Sequence, residues 1–493
     1  MKRRKFLQGA ALVAGSTEAR RALASAWPLM EETPSARLVL DLTQPLAIIP
    51  PDFMGLGYEV SSVARPGLLS QHNVDYVQLV RSLGSRGVIR VGGNTSDYSS
   101  YAPTAQPLSS PETGPGSVVN DAVLRDLGTF LEATGWNLIW GLNLGKGTEQ
   151  AAIQEAKAVL AATEPYLFAF EIGNEPDLFP RSEAHRKKGY DYDDYLREYR
   201  KFRDALRKEL PGMPLAGPDV ADATSWVTRF ARDEGKDIKL LTHHYYREGQ
   251  NPTSNIDKLL YADPKLDPML AQLRAATKSS GIPYRTCETN SFSGGGKPGV
   301  SDTLASALWV LDFMFALAST GCAGVNMETG VNQRGFISSY SPIGDDEHGH
   351  YTATPEFYGM LAFAQAGKGH VIASNLEAGN RNLKAYTTQQ SKNRIVVTLI
   401  NKEGASPVVV SVECAAAFSK GSLLRLSGSS LDSRTGVLLG GVAVAPSGVW
   451  HPGSAEEIPA SGGKLLVRLP AASAAVVTAR QLSPNQLFCL SGF

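Results

Sequence analysis

From residue 53 onward the chain alternates two textures: short, almost wholly apolar runs ending in a polar cluster, and longer stretches with helical spacing. The runs are FMGLGYEV (53–60), GVIRVGGN (87–94), WNLIWGLNLG (136–145), LFAFEIGNEP (167–176), PLAGPDV (214–220), IKLLTHHYY (238–246), PYRTCETNSF (283–292) and AGVNMETG (323–330). Between them, DYDDYLREYRKFRDALRKEL (191–210) and TLASALWVLDFMFALAST (303–320) carry the amphipathic or apolar spacing of helices. Strands that are apolar on both faces and alternate with helices predict a parallel sheet. Eight such units predict a (β/α)8 TIM barrel rather than an open doubly wound sheet. No G-x-G-x-x-G follows a first strand, which weakens a dinucleotide-binding reading further.

After PEFYGMLAFAQA (355–366), the expected eighth helix, the pattern changes. RNLKAYTTQQ, NRIVVTLIN, SPVVVSVEC, GSLLRLSG and KLLVRLPAASAAVVTAR are β-branched alternating runs broken by Gly, Ser, Asn and Pro. They predict a C-terminal antiparallel β-sandwich. ARLVLDLTQPLAIIP (36–50) has the same alternation and is expected to join it, making that domain discontinuous. The expected divisions are an export segment (1–26), a strand segment of the sandwich (27–50), the barrel (51–368) and the sandwich (369–493).

The polar residues of the barrel runs sit at their C-terminal ends: Glu59, Asn94, Asn143, Asn174-Glu175, Asp219, His244 to Tyr246, Glu288 to Asn290, and Glu328. In a barrel these ends converge on one rim, where active sites of this fold lie. Glu175 closes the fourth run and Glu288 the seventh, so both face the mouth from opposite sides. Retaining glycoside hydrolysis requires two carboxyl groups about 5–5.5 Å apart, one nucleophile and one acid/base. Tyr246 is placed to donate to Glu288, and His244 shares its strand face by the period of two.

Composition narrows the alternatives. Lys+Arg and Asp+Glu balance at 48 each, which argues against a nucleic-acid partner. No apolar stretch reaches the roughly 18 residues that span a membrane, so no membrane partner is expected. Four cysteines, at 287, 322, 414 and 489, form no C-x-x-C pair, and the sequence leaves open whether Cys414 and Cys489 pair. The start, MKRRKFLQGAALVAGS, resembles a twin-arginine export signal and implies a periplasmic or extracellular location. The charge run RSEAHRKKGYDYDD (181–194) reads as a solvated helix start.

Asn174-Glu175-Pro176 resembles the acid/base motif of clan A glycoside hydrolases, with Glu288 at that clan's nucleophile position. Within the clan, RVGGN (90–94), FEIGNEPD (170–177), THHYY (242–246) and SGGGKPG (293–299) resemble glycoside hydrolase family 79, the family of β-glucuronidases and heparanases. The likeness runs over roughly residues 37–493. It implies Glu288 as nucleophile, Glu175 as acid/base, and Asn174 as a hydrogen-bond partner of the sugar 2-OH. It also implies that the amides of Gly294, Gly295 and Gly296 hold the sugar carboxylate. Successive glycine amides form such anion nests, with Lys297 as an assistant and Tyr340 as a further contact. Glu59 and Asn94 are candidates for the 3- or 4-hydroxyl. The expected activity is retaining exo-β-glucuronidase on carbohydrates carrying β-linked glucuronic acid, with no metal or organic cofactor. The rivals are a heparanase-like endo-enzyme, another clan A glycosidase such as a xylosidase or arabinofuranosidase, and a non-catalytic carbohydrate-binding barrel.

Overall fold

The computed structural model describes residues 33–110, 116–333, 338–415 and 417–481. The export-signal reading and Cys489 lie outside the described residues. Eight strands close into a barrel in chain order: Gly55–Glu59, Val88–Gly92, Asn137–Leu142, Leu167–Ile172, Leu215–Val220, Leu240–Gly249, Tyr284–Ser293 and Val325–Glu328. Every neighbouring pair is parallel. Each falls on one of the eight apolar runs, and all eight polar ends meet at one mouth.

The barrel interior is layered as alternation requires. Near its base lie Val88, Ile139, Ala169, Ala216, Leu240 and Cys287, one from each of six successive strands and all buried. Two residues further along, the same inward parity delivers Arg90 and Glu171, also fully buried. The base is closed by Arg285, whose guanidinium donates to Asn326 Oδ1 (2.7 Å) and to the carbonyls of Asp52 and Phe53.

The sandwich is one ten-stranded sheet rolled upon itself. Phe418–Ser427 closes the ring by pairing with both Glu456–Ser461 and Ser473–Gln481. Its inner face buries Leu38, Leu40, Ile395, Val397, Val410 and Val467. The N-terminal strand Ala36–Ile49 is an interior member, antiparallel to Gly369–Glu377 but parallel to Val408–Cys414. The sheet is thus mixed rather than wholly antiparallel.

Two barrel helices, Leu304–Ser319 and Pro355–Ala366, are apolar around most of their circumference because both sides are covered. The first contacts the sandwich through Phe315, stacked on Tyr386 at 4.9 Å. Its Asp312 accepts from Tyr386 Oη and Lys402 Nζ, both at 2.5 Å.

Candidate active site

A cavity of about 1020 Å³ opens at the C-terminal mouth of the barrel, lined on its floor by Glu59, Asn174, Glu175, His244, Tyr246 and Glu288. Two local devices aim the two central carboxyl groups. On the fourth strand Gly173 and Glu175 both adopt positive φ, 85° and 48°. That sharp turn sends Glu175 over the mouth, and its amide donates to the carbonyl of Asp219 at 2.8 Å. A non-glycine residue held there is the strain that clusters at functional sites. On the seventh strand the register slips between Thr286 and Glu288, bringing Glu288 level with His244 of strand six. Bulges beside active sites re-aim side chains in this way.

A carboxylate oxygen of Glu175, a nitrogen of His244 and a carboxylate oxygen of Glu288 lie within 4.8 Å of one another. Such proximity is compatible with the close carboxyl pair that retaining hydrolysis uses. Glu288 accepts from Arg90 Nη1 at 2.7 Å and from Tyr246 Oη at 2.9 Å. Two donors, one charged, fix its orientation. Glu175 faces His244 Nδ1 at 2.9 Å. Burial lifts the Glu175 carboxyl above its ordinary range, the hydrogen bond and charge of His244 pull against this, and Glu288 adds to the rise.

Sequence reasoning passed over Arg90 as a side chain of the site. Its guanidinium is fully buried and reaches four acceptors: Glu171 Oε2 (3.2 Å), Glu288 Oε2 (2.7 Å), Asn174 Oδ1 (2.8 Å) and Asp219 Oδ2 (2.6 Å). Burial alone would raise the Asp219 carboxyl, but Arg90 and His244 overrule it and hold it well below the usual carboxylate range. Asp219 in turn takes His244 Nε2 at 2.9 Å. Burial works against protonation of His244, yet Asp219 and Glu288 outweigh it, so the imidazole is charged. The glycines of RVGGN serve this arrangement. A Cβ on Gly92 would lie 2.6 Å from the Arg90 guanidinium carbon, and one on Gly93 would lie 2.3 Å from the Glu59 carboxyl. Asp97, also missed, joins three strand ends by accepting from the amides of Leu144, Gly145 and Asn174.

The remaining candidates divide. Asn174 binds Arg90 through Oδ1 and donates to Asn94 Oδ1 at 3.2 Å, so both line the floor beside Glu59. Glu59 accepts from the amides of Asn94 (3.2 Å) and Thr95 (2.8 Å) and from the Thr95 hydroxyl (2.6 Å). Burial and nearby Glu288 still push it up to about 7. Tyr340 lines the cavity, stacked on Tyr246 at 6.2 Å. Gly294 and Gly295 reach the cavity wall. Gly296 does not contribute its amide, which donates to the Phe292 carbonyl at 3.0 Å while its backbone packs against Ser301 and Tyr340. Lys297 points elsewhere, donating to the carbonyls of Asn251 and Pro252. The charge run after Glu175 is more than a solvated helix start, because Arg181, Ala184 and His185 form part of the cavity wall. The helix itself begins at Tyr192, capped by Asp191.

Among the described residues, two clusters have metal-ligand composition. In Glu175, His244 and Glu288, both imidazole nitrogens already face carboxylates as donors, leaving no lone pair for a cation. Glu171, Asp219 and Cys287 surround the Arg90 guanidinium, which supplies the positive charge in place of an ion.

These features define a glycoside hydrolase with clan A architecture. Comparison with known proteins gives the closer grouping. The chain is 27% identical over 384 residues to a β-glucuronidase of Aspergillus niger, covering 71% of this chain and 69% of that enzyme. It is 23% identical over 401 residues to the heparanase of Mus musculus, covering 70% and 72%. Among solved structures, a 4-O-α-L-rhamnosyl-β-D-glucuronidase from Fusarium oxysporum superposes with a TM-score of 0.72 at 18% identity, over 89% of this chain and 100% of that one. No family model matches the chain. The relatives bear out the resemblance to family 79, and with it an enzyme that hydrolyses glycosides.

Proposed function

We propose that the protein is a retaining exo-β-glucuronidase that removes terminal β-linked glucuronic acid. The observation that carries this reading is the placement of Glu175 and Glu288 within 4.8 Å across the barrel mouth, bridged by His244. Glu288, held in place by Arg90 and Tyr246, attacks the anomeric carbon. Glu175, carrying a proton, donates it to the departing oxygen. The ester formed on Glu288 removes a negative charge next to Glu175, whose proton affinity falls, so it then serves as base for the incoming water. His244 steadies Glu175 in both roles, and Asp219 keeps the imidazole charged and oriented.

The glucuronide preference is supported by the named relatives and by the Gly294-Gly295 turn and Tyr340 at the rim. Exo action is supported by the cavity's charge. Its outer lining carries Arg181 and Lys265 but also Asp222 and Glu248, and Arg181 lies 3.4 Å from Asp222. Internal cleavage of a sulfated polyanion would call for a clear excess of cations. The N-terminal RRKFL start supports export through a twin-arginine route; N-terminal sequencing of the mature protein would test it, with an intact Met1 counting against. A panel of 4-nitrophenyl β-glucuronide, β-xyloside and β-glucoside tests the specificity. Preference for either neutral sugar would overturn it.

A further inference from the structure

If the substrate is a uronate, as proposed above, the enzyme must bring an anion into an acidic cavity. Glu59, Glu175, Glu288 and Glu328 all line it. The buried cations are committed elsewhere: Arg90 to Glu171, Glu288, Asn174 and Asp219, and His244 to Glu175 and Asp219.

Glu328, at the end of the eighth strand, stands apart from the other three. Glu288 has Arg90 and Tyr246, Glu175 has His244, and Glu59 has two amides and a hydroxyl. Glu328 is 3% exposed, and its Oε2 is buried without a hydrogen-bond partner. That oxygen is packed against Gly57, where a Cβ would come within 2.6 Å. The ionisable groups facing it come from every side: Tyr58 and Glu59 from strand one, Arg90 from strand two, and His244 and Tyr246 from strand six. Glu288 comes from strand seven and Tyr340 from the segment beyond strand eight. Burial raises its carboxyl well above the ordinary range, Glu288 and Glu59 raise it further, and Arg90 and His244 offset only part. An unpaired carboxylate in that position is far less stable than the neutral acid.

We propose that Glu328 is a specificity-determining residue that works as a neutral carboxylic acid, easing the entry of an anionic sugar between Glu59 and Glu288 and donating its O–H to an oxygen of the bound uronate. Buried carboxyls kept neutral do act as donors in other sites, and a donor to a charged acceptor is the stronger kind of hydrogen bond. Binding is therefore linked to a proton. The competent form is fully present below the Glu328 pKa and is lost as pH rises through it. Beyond that point affinity for the uronate falls by up to about tenfold per pH unit.

The test is calorimetric titration of D-glucuronate, with D-glucose as the neutral comparator, between about pH 4 and pH 9. Wild-type protein should show glucuronate affinity that falls on the alkaline side, while glucose affinity falls less. Glu328→Gln, which keeps a donor but cannot titrate, should lose that alkaline fall. Glu328→Ala should bind glucuronate about 10- to 100-fold more weakly throughout. Glu328→Gln retaining the wild-type fall, or Glu328→Ala binding as tightly as wild type, would overturn the proposal. A measurement that needs no variant is proton uptake by wild-type protein, from titrations in two buffers of different ionisation enthalpy. Uptake near zero at every pH would also overturn it. Failure of the glucuronidase reading is seen separately, as no hydrolysis of any aryl β-glucuronide by wild-type protein.

Discussion

Replacing Arg90 by lysine would keep a positive charge but remove the planar fork that serves Glu171, Glu288, Asn174 and Asp219 together. We expect Arg90→Lys to lower kcat by about 10²–10³-fold, the loss typical of one displaced electrostatic contact at a reacting centre. KM should change far less, because the contact matters most once Glu288 attacks. The two glutamates are separated by chemical rescue. Glu288→Gly should lower turnover by about 10⁵–10⁶-fold, and azide should restore it with an α-glycosyl azide product, since the small anion enters where the carboxylate was. Glu175→Ala should keep good leaving groups reactive in the first step, and azide should give the β-product. Swapped products would reverse the assignment. The raised Glu175 carboxyl also sets the pH response. A group with raised pKa keeps its proton to higher pH, so acid catalysis is present below that pKa and fades above it. The alkaline limb of kcat should disappear in Glu175→Ala with a leaving group that needs no proton.

At the level of elements, one buried tie between barrel and sandwich is Asp312 of the helix Leu304–Ser319, paired with Lys402 at 2.5 Å and bonded to Tyr386. Asp312→Ala leaves the Lys402 ammonium, 3% exposed, without its carboxylate. We expect about 3–5 kcal/mol of destabilisation, read as a lower urea midpoint with an unchanged slope. Asp312→Ala combined with Lys402→Met should recover much of it. The eight barrel strands and the three quoted helices are legible in the sequence because the apolar run length and the helical period are strong signals there. The rim residues are legible for a related reason, since a polar side chain ending an apolar run has few uses other than the mouth. Arg90 and Glu171 hide because they lie inside their runs. Their signal is parity: each is two residues beyond an inward-facing apolar position, Val88 and Ala169. Opposite charges on the inward faces of the second and fourth barrel strands are best explained as partners across the interior. The role of Gly296 and the parallel neighbour of Ala36–Ile49 are not legible at all. Alternation tells which face is buried, not which amide is already bonded or which strand lies alongside.

For the whole molecule, the charges resolve into a consistent arrangement. Two buried cations, Arg90 and His244, stand among Asp219, whose proton affinity is lowered, and Glu175 and Glu328, whose proton affinities are raised. In the proposed mechanism the raised Glu175 keeps the acid loaded before substrate arrives, as preorganised catalysis requires. The N-terminal strand Ala36–Ile49 pairs inside the far sheet, so the two domains are joined through both ends of the barrel segment. The central claim is that Glu175 and Glu288 act on one sugar carbon by two successive displacements. The most direct measurement is hydrolysis of 4-nitrophenyl β-D-glucuronide followed by proton NMR from the first turnovers. The expected result is β-glucuronic acid appearing first and mutarotating later; α-glucuronic acid appearing first, or no release of nitrophenol, would contradict it.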